Sequence, residues 1–329
     1  MPQGALPSDN YATVFVYHRF DDPRHPSTSI SLEDFKKELL YLKRHGYKPV
    51  KISELYRMAR EGKIPPKTVA ITIDDGYKST YKAFKLLKEF NFPFTVFLYM
   101  EAVDSYPDFL TKEQIKEMEE SSLVEFESHL YSHPRLARYR VKLGRENYLK
   151  FLERESSLSE EKFRKIFGRR PLFLALPYGD YDEETVKFFK ERGYKLLLTQ
   201  DRGSWNGRGI LVPRMNATGG RYGYWRFVRD LKIEPLSVLW HRPPAGLYWK
   251  EVINPTFYLE EDGYDNCKVY ASGSGWVKGL KEGKRVEASK PFKLKKLSTR
   301  VGVLCTNEKT KRPAEFFYLI IKGAQAPQR

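Results

Sequence analysis

The sequence predicts an α/β barrel followed by a small all-β module. Between residue 12 and about residue 232, short apolar runs alternate about six or seven times with longer amphipathic segments. The apolar runs are continuous, which is typical of parallel strands covered on both faces. After about residue 235, prolines, glycines and short apolar runs replace this pattern. We therefore expect a catalytic barrel over residues 1–235 and a β-rich module over residues 236–329.

Each barrel element has its own local signal. A predicted strand is a short apolar run, and a predicted helix is an amphipathic segment with a capping residue, a glycine or a proline near an end. The predicted strands cover residues 13–17, 68–73, 94–99, 124–128, 172–176, 196–199 and 210–212. The predicted helices cover about residues 31–46, 79–90, 111–120, 145–167 and 182–192. In a barrel of such units, functional residues lie at the C-terminal ends of the strands.

The composition leaves two interpretations of a basic chain. Lys and Arg number 58 against 42 Asp and Glu, which gives a net charge of +16 over 329 residues. The lysines are spread along the chain, often beside acidic residues, as on a solvated Lys- and Glu-rich surface. The alternative is an anionic partner such as nucleic acid, but the sequence has no recognisable nucleic-acid-binding motif. We therefore expect no nucleic-acid partner.

Neither a membrane span nor a disulfide framework is expected. No apolar run approaches the roughly 18 residues that span a bilayer, and the first ten residues lack the pattern of a secretory signal. Cys267 and Cys305 can form at most one bridge, and the sequence leaves their redox state open.

Two adjacent carboxylates end the strongest predicted strand. Asp74 and Asp75 follow Thr68–Ile73 and precede Gly76. Burying both carboxylates is costly without a cation or a shared proton. The plain alternative is an Asp-Gly turn in which one aspartate caps the next helix.

A histidine pair follows the predicted strand at residues 124–128. His129 and His133 are four residues apart, a spacing that puts both on one face of a helical turn, although Pro134 disfavours helical geometry at His133. The plain alternative is a pair of surface histidines in a loop. Together with one or both aspartates, the pair would supply oxygen and nitrogen ligands for a divalent transition metal. A second aspartate would then remove a proton from the attacking water.

The third motif is Pro177-Tyr178-Gly179, again at a predicted strand end. Such a turn holds a backbone N–H in a fixed direction, where it can stabilise an oxyanion. An ordinary turn is the alternative. In this order, Asp-Asp-Gly, His-x-x-x-His-Pro and Pro-Tyr-Gly resemble the polysaccharide deacetylases, or NodB-type domains, over about residues 12–232. The run Tyr17-His18-Arg19-Phe20 looks like the branch containing poly-N-acetylglucosamine deacetylases.

The resemblance implies a distorted barrel of about seven βα units and a hydrolase of carbon–nitrogen bonds. Its substrate would be an acetylated amino-sugar polymer or oligomer, such as poly-N-acetylglucosamine. Asp74 would be the catalytic base, Asp75, His129 and His133 would bind one divalent metal, and the Tyr178 backbone would bind the oxyanion. Zinc is the usual metal, with cobalt, nickel or iron as alternatives. The family implies an extracellular or periplasmic setting with cell-envelope association, the cytoplasm being the alternative.

The sequence departs from the family pattern at three places, and at one of them Leu130 replaces the small hydroxyl residue that usually follows the first histidine. Ala175 stands where many members have an arginine that contacts the base, and we expect Arg214 to orient Asp74 instead. The late histidine that usually acts as the general acid is missing from the barrel, and His241 resembles that motif only weakly. The predicted substrate-binding positions are His18, Pro177, Asp201, Trp205, Tyr222 and His241.

Three alternatives stay open at this point. One is an O-acetyl esterase acting on xylan or a related glycan, and another is a glycan-binding protein whose catalytic site has decayed. The third is nucleic-acid binding driven by charge. The role of the β-rich module is open as well, since it would either bind glycan or simply cover a face of the barrel. The aromatic candidates for glycan binding are Tyr258, Tyr264, Tyr270 and Trp276.

Overall fold

The structure is a computed structural model that describes residues 10–323, apart from the side chains of residues 221 and 222. The first eleven strands are β1 (Ala12–Tyr17), β2 (Arg19–Phe20), β3 (Ser29–Ile30), β4 (Lys48–Val50), β5 (Thr68–Asp75), β6 (Phe94–Leu98), β7 (Val124–Ser128), β8 (Phe173–Ala175), β9 (Leu196–Leu198), β10 (Leu211–Val212) and β11 (Met215–Asn216). The helices are α1 (Leu32–Arg44), α2 (Ile52–Arg60), α3 (Thr80–Phe90), α4 (Lys112–Glu120), α5 (Leu136–Phe167), α6 (Glu183–Glu191) and α7 (Arg221–Asp230).

A parallel sheet with helices around it forms the first part of the fold. Its strand order is β10-β9-β8-β7-β6-β5-β1-β11, and β4 pairs with β5. The end strands β10 and β11 do not pair with each other among the described residues, so the barrel is distorted and open on one side. The predicted fold class, a distorted βα barrel followed by an all-β region, is confirmed.

Local capping explains where several helices begin. The Ser31 side chain accepts the Asp34 N–H at α1, Thr111 forms a capping box with Gln114 at α4, and Asp182 accepts the Thr185 N–H at α6. Helix α5 begins nine residues before the predicted start and bends at Gly144, where φ is 71°. Helices α2 and α7 were not predicted.

Strand β5 carries the paired carboxylates into the barrel. All eight of its residues are buried, and it runs two residues beyond the predicted end. Its register places Asp74 beside Phe97 and Asp75 beside Leu98 of β6. Both carboxylates therefore lie inside the sheet edge and not in a solvated turn.

The C-terminal part is all β. Its strands are β12 (Glu234–Pro235), β13 (Val238–Arg242), β14 (Gly246–Tyr248), β15 (Val252–Ile253), β16 (Thr256–Leu259), β17 (Tyr264–Ala271), β18 (Gly275–Glu282), β19 (Arg285–Ala288), β20 (Phe292–Lys293), β21 (Ser298–Asn307) and β22 (Pro313–Lys322). The large sheet has the order β12-β22-β21-β17-β18-β19-β16-β13, with β14 beside β22. Cys267 and Cys305 form a disulfide between β17 and β21.

Strand β22 joins the β-rich module to the barrel through its two faces. Tyr318 and Ile320 pack into the core of the module, whereas Leu319 and Ile321 pack in one cluster with Leu174 of the barrel. Ion pairs cross the same boundary, among them Arg202 Nε to Glu315 Oε2 at 2.8 Å and Arg300 Nε to Asp201 Oδ1 at 2.9 Å. No helix within residues 10–323 is both long and apolar enough to cross a membrane.

Candidate active site

The predicted motifs meet at the C-terminal edge of the parallel sheet. Asp74 and Asp75 end β5, His129 follows β7, and Tyr178 follows β8. Arg214 lies between β10 and β11 and reaches the same edge from the open side of the barrel. Because parallel strands end at a common edge, residues far apart in sequence come together there.

A tight backbone turn orients the two aspartates. Asp75 has φ 73° and Gly76 has φ 80°, and the Gly76 N–H donates to the Asp74 carbonyl at 3.0 Å. A Cβ atom at Gly76 would lie 2.7 Å from Cδ2 of Leu98, so only glycine fits here without a shift. A left-handed non-glycine residue such as Asp75 is strained, and such strain is often found at functional sites.

The two histidines meet through a loop and not through the predicted helical turn. Leu130 has φ 62° and His133 has φ 53°, so both residues are left-handed and the segment between β7 and α5 is not a helical turn. Leu130 is completely buried in an apolar cluster with Leu136 and Leu174, which anchors the loop. The His129 and His133 ring centroids end 4.7 Å apart.

Asp75, His129 and His133 form a cluster that fits a divalent metal. Oδ1 of Asp75 lies 3.2 Å from Nε2 of each histidine, and the three ligand atoms lie within 4.8 Å of one another. This Oδ1 is buried and has no aligned hydrogen-bond donor among the described residues. Nδ1 of His129 lies 2.6 Å from the Ala175 carbonyl, so it carries the proton and leaves the Nε2 lone pair free. A cation would satisfy all three atoms.

The electrostatics of the cluster favour an ionised carboxylate. Burial acts to raise the pKa of Asp75, but His129 and His133 outweigh it and hold that pKa well below its usual range. Burial likewise acts to lower the pKa of His129, but Asp74 and Asp75 outweigh it, so this pKa is raised. The aspartate therefore presents a charged oxygen to the centre of the cluster.

Arg214 holds Asp74 in a buried, two-point ion pair. Nη1 lies 2.7 Å from Oδ1 and Nη2 lies 2.8 Å from Oδ2, and both side chains are fully buried. Arg214 is itself fixed by donating to the Thr199 carbonyl at 2.8 Å and to Thr72 Oγ1 at 3.2 Å. Burial acts to raise the pKa of Asp74, but Arg214 and His129 outweigh it, and the pKa is lowered. Asp74 is thus an ionised acceptor 3.9 Å from His129 Nε2.

The Pro177–Gly179 turn presents an unused backbone donor beside the cluster. The N–H groups of Gly179 and Asp180 donate to Leu176 and Pro177, whereas the described residues include no acceptor for the Tyr178 N–H. Tyr178 has φ 59°, and its ring lies 4.8 Å from the His133 ring, centroid to centroid. This geometry suits a donor for an oxyanion.

Of the predicted substrate-binding residues, the structure brings His18 and Pro177 to the site. His18 follows β1 directly, and Pro177 begins the turn that carries Tyr178. Burial lowers the pKa of His18, while the nearby Asp75 and Asp74 carboxylates act in the opposite direction. His18 therefore lies within electrostatic range of both aspartates.

Three other predicted substrate-binding residues lie elsewhere. Trp205 pairs with Ala12 at the N-terminal end of β1, about 17 Å along the strand from the site edge, and is buried in the barrel core. The Asp201 carboxylate is already engaged by the Tyr181 hydroxyl and Arg300. His241 stacks on Tyr318 at 3.8 Å between ring centroids, on the module side of β22. The side chain of Tyr222 lies outside the described residues.

The sequence interpretation missed Arg300, which touches the site from the β-rich module. Its Nη2 donates to the carbonyls of Tyr178 and Gly179 at 3.1 and 3.0 Å. Arg300 stands in an ordinary strand sequence, 122 residues from Tyr178, so no local pattern marks it.

Solved structures that share this barrel are deacetylases by name. PplD of Streptococcus pyogenes aligns over 68% of this chain and 99% of its own, with a TM-score of 0.60 and 20% identity. IcaB of Ammonifex degensii aligns over 68% of this chain and 98% of its own, with a TM-score of 0.58 and 24% identity. At these identities the likeness establishes the fold alone, a distorted βα barrel.

The sequence comparison gives a family match over part of the chain. Residues 61–197, less than half of the chain, match the family model of polysaccharide deacetylases. The poly-β-1,6-N-acetyl-D-glucosamine N-deacetylase of Staphylococcus epidermidis is 30% identical over 183 residues, which is 52% of this chain. The chain spans 61% of the length of that enzyme and 65% of another curated relative. The resemblance inferred from the motifs is confirmed.

Proposed function

We propose that this protein is a metal-dependent hydrolase that removes N-acetyl groups from an amino-sugar polysaccharide such as poly-N-acetylglucosamine. The observation that carries the proposal is the Asp75, His129 and His133 cluster beside an ionised Asp74 held by Arg214. The name of the Staphylococcus epidermidis relative supports the choice of polymer. Zinc is the proposed metal, with cobalt, nickel or iron as alternatives.

Each residue of the site has a distinct part in the proposed reaction. Asp75, His129 and His133 would hold the metal, which when bound polarises the acetyl carbonyl and makes water a better nucleophile. Asp74 accepts the proton of the attacking water, and Arg214 keeps Asp74 ionised and aimed. The Tyr178 N–H donates to the oxyanion of the tetrahedral intermediate, and acetate is released when the C–N bond breaks and the leaving amine takes up a proton.

The setting outside the cytoplasm is part of the same proposal. We propose that the protein acts outside the cytoplasm on a polymer of the cell envelope. The Cys267–Cys305 disulfide supports this setting, because disulfides persist in oxidising compartments. Neither the polymer nor the cluster geometry requires a nucleic-acid partner.

Acetate release from defined substrates tests the function. Protein stripped with a chelator and protein reloaded with zinc are each given N-acetylglucosamine oligomers and O-acetylated xylan oligomers. We expect the reloaded protein to release acetate from the N-acetylated oligomers and the stripped protein to lose at least about 100-fold in rate. Faster release from xylan would favour the O-acetyl esterase. Zinc binding without release from either substrate would favour a decayed glycan-binding protein.

We also propose that the β-rich module, residues 236–329, binds the polymer through Trp240 and Tyr258. These rings lie on neighbouring strands β13 and β16, stacked 5.4 Å apart at an angle of 9°. Trp240 is 43% exposed. The exposed Trp240 ring, backed by the half-buried Tyr258 ring, offers apolar area on which the C–H face of a sugar packs.

Replacing both rings with alanine tests this module. We expect the Trp240→Ala, Tyr258→Ala variant to bind insoluble N-acetylglucosamine polymer about tenfold more weakly in a pull-down titration. Its rate on short soluble oligomers should not change, because the catalytic cluster is untouched. Trp225→Ala, which removes a more exposed tryptophan from the barrel helix α7, is the matched control. Equal polymer binding by the double variant and the control would contradict the proposal.

A further inference from the structure

The turn that carries Tyr178 is held from outside the barrel by one side chain. Arg300 of β21 donates from Nη2 to the carbonyls of both Tyr178 and Gly179, at 3.1 and 3.0 Å. The contact is close, since a Cβ atom at Gly179 would lie 2.7 Å from Nη2 of Arg300 and 2.5 Å from the Gln200 nitrogen. Because Gly179 has no side chain, the Arg300 guanidinium can contact the turn directly.

The other side of the Arg300 guanidinium is anchored on a buried carboxylate. Nε lies 2.9 Å from Asp201 Oδ1 as an ion pair, although its N–H is not aligned with that oxygen. Asp201 is in turn fixed by the Tyr181 hydroxyl at 2.5 Å, and its backbone N–H donates to Thr199 Oγ1 at 3.1 Å. The guanidinium is thus held by a rigid neighbour while it binds the turn.

The same anchor also reaches the proposed catalytic base. The Asp201 carbonyl accepts the Arg214 N–H at 2.9 Å, and the Arg214 guanidinium binds Asp74. Asp201 therefore contacts both Arg300, which holds the Tyr178 turn, and Arg214, which holds the base Asp74. Its carboxylate is buried and engaged by Arg300, which explains why it does not take the predicted substrate-binding position.

The turn needs such a support because its backbone is strained. Tyr178 has φ 59° and ψ 3°, and Gly179 has φ 65°. A left-handed tyrosine persists only when its surroundings hold it there. The N–H and the carbonyl of Tyr178 lie in the two planar peptides on either side of its α-carbon. A rotation that swings the N–H away would also move the carbonyl, so holding the carbonyl restricts that rotation.

We propose that Arg300 is a positioning residue for the Tyr178 backbone donor, so that the β-rich module completes the active site. This inference rests on the proposed deacetylation for its kinetic effect. Its structural part, that Arg300 holds the Pro177–Gly179 turn, stands on the contacts alone. The module would then have a second role, distinct from polymer binding by Trp240 and Tyr258.

Kinetics of two Arg300 variants test the proposal. Loss of an oxyanion donor typically costs about 100- to 1,000-fold in kcat, and a donor that is only misplaced should cost less. We expect Arg300→Gln to lower kcat about 10- to 100-fold with little change in KM or bound metal. Arg300→Lys should recover part of kcat, because an ammonium group keeps the charge and can still donate to one carbonyl.

Arg202→Gln is the matched control. It removes another arginine at the boundary between barrel and module, because Arg202 pairs with Glu315 of the module at 2.8 Å and with Asp230 of the barrel at 2.6 Å. We expect it to lower the thermal midpoint while kcat below that midpoint stays near wild type. Equal loss of kcat in Arg202→Gln and Arg300→Gln would overturn the proposal, because the effect would then be general loosening of the module.

Hydrogen exchange gives a readout that does not need turnover. The Gly179 N–H donates to the Leu176 carbonyl at 2.7 Å, so its exchange reports on the turn. In metal-free protein we expect this amide to exchange at least about tenfold faster in Arg300→Gln than in wild type or Arg202→Gln. Unchanged exchange would overturn the inference. Faster exchange in a protein that releases no acetate would support the positioning role and reject the proposed function.

Discussion

Replacing His129 or Asp75 with alanine is expected to remove bound metal and acetate release together. Each residue contributes one of three atoms that lie within 4.8 Å of one another, so two remaining ligands would not retain a divalent ion through dialysis. Loss of an outer partner of a metal ligand typically costs 10- to 100-fold in affinity, and loss of a ligand itself costs more. We therefore expect activity to fall by more than about 100-fold.

Metal analysis by mass spectrometry, run beside the acetate assay, checks this prediction. His25→Ala is the matched control, because His25 is an exposed loop histidine that is not one of the three clustered residues. It should keep both metal and rate. A His129→Ala protein that binds one equivalent of zinc and works normally would contradict the proposed ligand set.

Replacing Asp74 with asparagine is expected to keep the metal and abolish turnover. Asparagine has nearly the same shape but cannot accept a proton at neutral pH, and a positioned base typically contributes about 100- to 10,000-fold in rate. Asp75, His129 and His133 are unchanged in this variant, so metal content should stay near one equivalent. An Asp74→Asn enzyme with a near-normal kcat would contradict the assignment of the base.

The same substitution should also destabilise the protein. It leaves the buried Arg214 guanidinium without its charged partner, and breaking one side of a buried pair costs about 3–5 kcal/mol. Urea unfolding of wild type and variant measures this cost. The kinetic comparison should therefore be made at a temperature where both proteins are folded, so that loss of rate reports on the proton acceptor and not on unfolding.

Local patterns predicted most of the barrel because each of its elements carries its own signal. The buried run before Asp74 and Asp75 predicted β5, and the capping residues Ser31, Thr111 and Asp182 stand where helices begin. Helix α2 was missed because its nine residues lie between two short elements without a side-chain cap. The helical turn expected between His129 and His133 does not form, because packing of the buried Leu130 determines the loop.

The sequence by itself determined which residues could carry the chemistry. Asp-Asp-Gly, His-x-x-x-His and Pro-Tyr-Gly each follow a predicted strand, and parallel strands must end at one edge. The sequence shows that each motif directly follows a predicted strand. It therefore predicts that the three motifs meet at one edge of the sheet.

Only the tertiary structure decided how these residues are held and which other residues join them. Arg300 reaches Tyr178 across 122 residues, and the two-point geometry by which the predicted Arg214 holds Asp74 spans 140. Trp205 packs into the barrel core, the half-buried His241 stacks on Tyr318 of the module, and Asp201 is engaged as a support. The physical reason is that a long side chain binds whichever charge or carbonyl the folded backbone places within its reach, and that neighbour is not encoded by the residues beside it in sequence.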